Sequence, residues 1–148
     1  MPLIYRAMQA SESGPLAGSS KKMLGVKAGS ELADDIAPTP DGRVFPETGG
    51  MSVAPTWRDL PAHRIPRRLK KLCPGAAGND KMDCWRMGIG PFEDSPVSPD
   101  LNLRVDSGIH GGVEPSREMP LPAYQVALAQ TQDQWIIEPE TIRSEVQS

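Results

Sequence analysis

The chain has too few cysteines for a disulfide scaffold, and no apolar run long enough to cross a bilayer as a helix. Its two cysteines, Cys73 and Cys84, have ten residues between them. That spacing fits no zinc-ligand pattern, and only His63 lies near them in sequence. Two incidental thiols are the plain reading, with a disulfide open only to an exported chain. No window approaches the roughly 20 apolar residues of a membrane span. The opening MPLIYRAMQA has no charged segment followed by a long apolar one, so no secretory leader is read there. No internal repeat is visible. The net charge is only −3, which weighs against a dedicated nucleic-acid binder while leaving room for a local basic patch. The expectation is a protein that works in water, in a cytosol.

What is abundant is proline and glycine, 16 and 14 of 148 residues. Such a chain is expected to fold as one domain with a modest core, many turns and short elements, its functional groups carried on loops. LIYRAM at 3–8 alternates β-branched and aromatic residues and reads as a strand, with Arg6 on the face of Ile4. KMLGV is expected to add a short strand, with Gly25 and Gly29 as punctuation. Pro-Asp-Gly at 40–42 sets a turn before the strand RVF. Later, CWRMGIGPF, NLRVDSG and GIHGGVEPS read as strands, and EDSPVSPDL as a proline-rich acidic loop. The convincing helix is MPLPAYQVALAQTQDQW, with Leu121, Tyr124, Leu128 and Trp135 on one stripe and Pro122 in its first turn. Residues 1–137 are assigned to a single α+β domain. Residues 138–148 are assigned to a tail expected to fray.

The segment APTWRDLPAHRIPRRLKKLCPG concentrates positive charge at Arg58, Arg64, Arg67, Arg68, Lys70 and Lys71, with one short helix expected over RRLKKL. A solvated face is the ordinary meaning of such a run. The alternative is a docking surface for an anionic partner, to which Trp57 could add stacking.

Three places stand out as carriers of chemistry. Arg6 lies in the first strand. Thr48-Gly49-Gly50-Met51-Ser52 enters a later one, where the glycines would let backbone approach a ligand and Ser52 would be the first polar side chain aimed from the turn. His110-Gly111-Gly112-Val113-Glu114 forms a third. A guanidinium suits a phosphate, a hydroxyl suits a sugar, and a histidine or carboxylate suits positive charge at a reacting carbon. His110 and Glu114 share a strand face but would stand roughly 13 Å apart along an extended strand, too far to do one job.

The order IYRA, LGV, GGMSV, LPAHRIP, HGGVEP resembles the ADP-ribosyltransferase-like toxin family typified by an effector of type VI secretion. The likeness covers most of residues 3–135. It implies a split β-sheet around an NAD cleft, with short strands and a few small helices. It assigns Arg6 to the cofactor's phosphate or ribose and Ser52 to the nicotinamide ribose, with Thr48, Gly49, Gly50 and Met51 beside it. His110 is the favoured late-strand site residue, with Glu114 as the alternate. Two departures matter. Met51 stands where the typifying toxin has threonine, and the late strand offers histidine where transferases of this kind usually place a glutamate. The family further implies a toxin acting on a protein or nucleic acid in the cytosol, held in check by a cognate immunity protein. A catalytically inactive binding module on the same fold is the other reading.

Overall fold

The computed structural model describes residues 1–29 and 33–139. Its elements in chain order are β1 (Ile4–Ser11), β2 (Gly14–Pro15), β3 (Arg43–Val44), β4 (Met51–Val53), β5 (Met82–Met87), β6 (Ser95–Ser98), β7 (Leu101–Ser107), β8 (His110–Pro115), β9 (Met119–Pro120), α1 (Leu121–Ala129) and β10 (Ile136–Ile137). Single 3-10 turns lie at Trp57–Asp59, Arg67–Leu69 and Gln132–Gln134. Two four-stranded antiparallel sheets, ordered β10-β5-β1-β2 and β4-β8-β7-β6, carry the fold, and β3 pairs with β9 as a small ribbon. With one short α-helix among the described residues, the class is α+β, as expected.

The two sheets join where β1 meets the end of β4. Tyr5 and Ala54 exchange main-chain hydrogen bonds of 2.8 and 3.0 Å. Beyond that junction the strands part, and a cleft opens between them.

β1 is buried on both faces because its alternation serves two cores. Ile4 and Met8 enter the larger core with Met51, Leu101, Leu103, Val113 and Leu128. Tyr5 and Ala7 enter a smaller one, roofed by Trp57, Leu60, Ile65 and Leu69 from the 54–69 segment. Each fully buried apolar side chain contributes roughly 1.5–3 kcal/mol, so the proline-rich segment is held by its anchors rather than by regular structure. In β7 the period-two pattern is clear: Leu101 and Leu103 are buried, while Arg104 and Asp106 are exposed.

Several elements differ from the sequence reading, each for a local reason. KMLGV forms no strand. Leu24 makes one bridge to Ala17, and the carbonyls of Met23 and Gly25 accept hydrogen bonds from Arg6 instead of a neighbouring strand. EDSPVSPDL is not all loop, since Ser95–Ser98 is the edge strand β6, a position where proline costs no ladder bond. RRLKKL makes only a 3-10 turn over Arg67–Leu69, between Pro66 and Pro74. The helix stops at Ala129, short of the expected span. There the Thr131 hydroxyl donates to the Leu128 carbonyl at 2.8 Å and accepts the Trp135 indole N–H at 2.9 Å, a side-chain alternative to further helix. Ile136–Ile137 then pairs with Trp85 and Arg86 at the edge of the first sheet. Of the tail assigned to 138–148, residues 140–148 lie outside the described residues.

Candidate functional site

The cleft has two connected lobes that share Asp35, Ser52 and His110. The first encloses about 330 Å³ between β1, β4 and the 59–64 segment, and is lined by Arg6, Lys21, His63 and Arg64 among others. The second encloses about 400 Å³ over the open face of the second sheet, and is lined by Glu47, Arg104, Asp106 and Glu114 together with Gly49, Gly50 and Gly112. The first lobe therefore leans cationic and the second acidic.

Strand register explains this grouping. Ser52 lies opposite Gly112, and Gly112 lies opposite Arg104, so the three form one row across the sheet. His110 and Glu114 flank Gly112 on the same face, because an even separation preserves the side. The absent side chain at Gly112 leaves a floor between them. A Cβ there would meet nothing nearer than 3.9 Å.

Arg6 is buried, and every hydrogen bond its guanidinium makes among the described residues ends on a main-chain carbonyl. Nε donates to Met23 at 3.1 Å and Nη1 to Ser52 at 2.8 Å. Nη2 reaches Lys21 and Met23, each at 3.1 Å, and more distantly Ser20 and Gly25. Burial lowers its pKa to about 10, opposed by the nearby Asp35 carboxylate, and it stays charged at neutral pH. Its place in this structure is that of a clamp. It ties β1 to the 20–25 loop and to the strand that carries Ser52.

Ser52 presents a hydroxyl for which the described residues provide no hydrogen-bond partner, while its main chain is held on both sides by Arg6 and β8. Met51, the next residue back, faces the other way into the core at 1% exposure. Its amide donates to the Tyr124 hydroxyl at 3.2 Å, and that hydroxyl donates to the Val113 carbonyl. Burial raises the Tyr124 pKa, so the phenol stays protonated and α1 is pinned to the start of β4 and β8. Gln125 pins the other side, accepting from the Val26 amide at 3.1 Å and donating to its carbonyl at 2.8 Å. Thr48 lines neither lobe; its hydroxyl donates to the Phe45 carbonyl at 2.7 Å. Met51 and Thr48 thus point away from the cleft, and a threonine hydroxyl at position 51 would be aimed into the core.

Gly49 and Gly50 border the second lobe, but protein contacts already require them. A Cβ on Gly49, whose φ is +119°, would lie 2.3 Å from the Asp35 carbonyl, and one on Gly50 would lie 2.5 Å from the Val113 carbonyl. The glycines let the chain pass between Asp35 and β8. Protein contacts alone therefore account for glycine at both positions, beside the lobe they border.

His110 and Glu114 occupy opposite chemical situations. Glu114 is buried, with Oε2 accepting the Glu47 amide at 2.8 Å and both oxygens accepting Arg104 Nε at 3.1 Å. That hydrogen bond, with the carboxylate's charge, raises the Arg104 pKa, and Arg104 also meets Glu47 at 3.2 Å. His110 is exposed, and its Nδ1 stands 2.9 and 2.8 Å from the two oxygens of Asp106. The register slips here, so that Asp106 and Ser107 together face His110, and such bulges re-aim side chains.

The basic segment divides in the same way. His63 and Arg64 line the first lobe. Arg58 stacks on Trp57, 4.6 Å from the ring centre. Arg68 is folded inward, donating to the carbonyls of Asp80 and Met82 and to the Asp83 carboxylate. Only Arg67, Lys70 and Lys71 of the cluster's C-terminal half are exposed. Arg68 is therefore a structural tie to β5 and not part of a free basic surface.

Sequence reasoning missed Asp106, Arg104, Asp35, Tyr124 and Gln125. Asp106 could have been found as the residue across a tight Ser-Gly turn from His110. Asp35 had no signal, because it acts from a loop: Lys21 Nζ lies 2.5 Å from its carboxylate, and the Lys27 and Gly50 amides donate to its side chain and carbonyl. The cysteines form no disulfide. Among the described residues there is no cluster of ligands for a metal ion, and no helix is long and apolar enough to cross a membrane. No family model matches the chain, and no curated protein shows significant similarity to it.

Proposed function

We propose that the chain is an NAD-dependent ADP-ribosyltransferase-like enzyme whose split sheet frames the substrate cleft. One observation carries this reading. Three stretches distant in sequence, around Arg6, Ser52 and His110, converge on one cleft at the junction where β1 and β4 part. These are the stretches whose order resembles the ADP-ribosyltransferase-like toxins.

The polarity of the lobes supports the same substrate. The cationic first lobe, with Lys21 and Arg64, suits the pyrophosphate of a dinucleotide. The acidic second lobe suits the nicotinamide ribose, where positive charge grows as the glycosidic bond breaks. Ser52 stands where the lobes meet and offers its hydroxyl to a ribose. The enzyme is proposed to act in a cytosol on a protein or nucleic acid, restrained by an immunity protein in the cell that makes it. The exposed Arg67, Lys70 and Lys71 are where target or immunity protein would dock.

One observation favours the second reading, a binding module without turnover: the late-strand carboxylate, Glu114, is already committed to Arg104 and the Glu47 amide. Nicotinamide release separates the two. The wild-type chain and a Ser52→Ala/His110→Gln double variant are compared for NAD binding by calorimetry, nicotinamide release, and growth arrest on expression in bacteria. Binding with release and arrest by the wild type alone supports the enzyme. Binding without release supports the module, and absence of NAD binding removes both.

A further inference from the structure

His110 is held in a way that the binding of a ribose hydroxyl does not require. Asp106 straddles its Nδ1 at 2.9 and 2.8 Å, which fixes the proton on Nδ1 of the neutral ring and leaves Nε2 as an acceptor. Nε2 has no partner among the described residues, and the side chain is 46% exposed on the boundary of both lobes.

The surrounding charges single out this pair. Of the carboxylates lining the second lobe, Asp35 is paired with Lys21, while Glu47 and Glu114 are paired with Arg104. Asp106 alone has no lysine or arginine partner among the described residues, and His110 is its only ion-pairing neighbour there. On the first lobe, the ring shares its surroundings with the buried Arg6 and with Arg64, Asp59 and His63. A carboxylate left free of other cations, fixed against one ring nitrogen, is the arrangement that orients a histidine and supports it when it becomes charged.

We infer that His110, positioned by Asp106, is the general base of the reaction, and that its acceptors are neutral O–H groups, water or an alcohol. This rests on the NAD reading above. The C1′–N bond breaks with its electron pair leaving on nicotinamide, the acceptor oxygen bonds to C1′, and the acceptor's proton passes to Nε2. Asp106 balances the resulting imidazolium. An O–H group becomes acidic only as its new bond forms, and an imidazole nitrogen within hydrogen-bond reach can take its proton at that point. A guanidinium acceptor is far too weak an acid for that base.

The test has two arms. In the first, the imidazole ¹⁵N resonances of the chain alone are recorded at neutral to alkaline pH. The expected state is Nδ1–H with Nε2 unprotonated, becoming a tautomer mixture in Asp106→Asn and returning in Asp106→Glu. An Nε2–H ring in the wild type overturns the proposal whether or not NAD binds. In the second arm, NAD binding and nicotinamide release are measured with water, methanol and agmatine as acceptors. The expected results are methyl ADP-ribose from methanol, no acceleration by agmatine, and a His110→Gln chain that still binds NAD while its release falls far more than its affinity. Release by that variant should fall about 10²–10⁴-fold and lose its rise with pH. Transfer to agmatine in preference to methanol, or His110→Gln turning over with the wild-type pH profile, overturns the base assignment and leaves the NAD reading standing. A wild-type chain that binds no NAD overturns both.

Discussion

Arg6 on β1 donates through Nη1 to the main-chain carbonyl of Ser52 at 2.8 Å, across the junction of the two sheets. A buried cation therefore sets the position of the strand that offers the cleft its free hydroxyl.

The two residues should respond differently to mutation. Arg6→Ala leaves several buried carbonyls without their charged donor, and hydrogen bonds to charged groups are worth about 1.5–3 kcal/mol each. After partial relaxation the expected loss is roughly 3 kcal/mol in urea unfolding, with Arg6→Lys recovering little because an ammonium cannot span the same carbonyls. Ser52→Ala should change stability by less than about 0.5 kcal/mol, since its hydroxyl has no hydrogen-bond partner among the described residues. An Arg6→Ala chain as stable as the wild type would mean the clamp is not needed, and would return Arg6 to the ligand.

The strands of the cleft were largely legible in the sequence, because β1, β4, β7 and β8 each carry alternation or a turn signal of their own. The partners of their side chains were not. Nothing in the local pattern announces that Glu114 is claimed by Arg104, or that the carbonyls around Met23 are claimed by Arg6, because those pairings close across 10 and 17 residues. The helix was overextended for a related reason: Thr131 fits a helical stripe by position, yet its hydroxyl takes the Leu128 carbonyl. Position along an element was readable, and competition for hydrogen bonds was not.

The basic segment gives a second contrast. Arg68 is tied to β5 through the Met82 carbonyl and the buried Asp83, and to the Asp80 carbonyl just before it, whereas Arg67 is exposed. Arg68→Ala should cost about 2–3 kcal/mol by thermal or urea unfolding, and Arg67→Ala within about 0.5 kcal/mol of zero. If the exposed cations dock a partner, Arg67→Ala should weaken that complex while leaving the fold untouched. Equal destabilisation by the two would show that the inward geometry of Arg68 carries no energy.

Thiol chemistry should separate the cysteines. Cys84 is buried on β5, and burial pushes its thiol up to about 12, whereas Cys73 is half-buried. A thiol reagent at pH 8 should modify Cys73 rapidly and Cys84 only on unfolding. The shift also sets a pH dependence. A folded-state value raised above the thiol's ordinary 9.0 means that the native chain keeps a proton the unfolded chain releases. Its contribution is therefore present in full below about pH 9 and is lost as pH climbs toward about 12. Unfolding midpoints measured across that window should fall more steeply in the wild type than in Cys84→Ala. Parallel profiles would place Cys84 in a more solvated setting than its burial shows.

The glycines of the cleft allow structural need to be told apart from ligand need. Gly50→Ala drives a methyl to 2.5 Å from the Val113 carbonyl, and backbone cannot step aside as a flexible side chain can. Overpacking of this kind costs about 1–3 kcal/mol, and the strand carrying Ser52 should loosen from β8. Gly112→Ala meets only ordinary contact at 3.9 Å, so its unfolding midpoint should stay near that of the wild type. The added methyl nonetheless rises from the floor between Ser52, His110 and Arg104. Calorimetric titration with NAD should then show a folded Gly112→Ala protein whose affinity is reduced about tenfold or more, the result expected when a methyl occupies space a ligand needs. Undiminished affinity in that variant would place the dinucleotide off the face of the second sheet, and the search for its site would move to the first lobe alone.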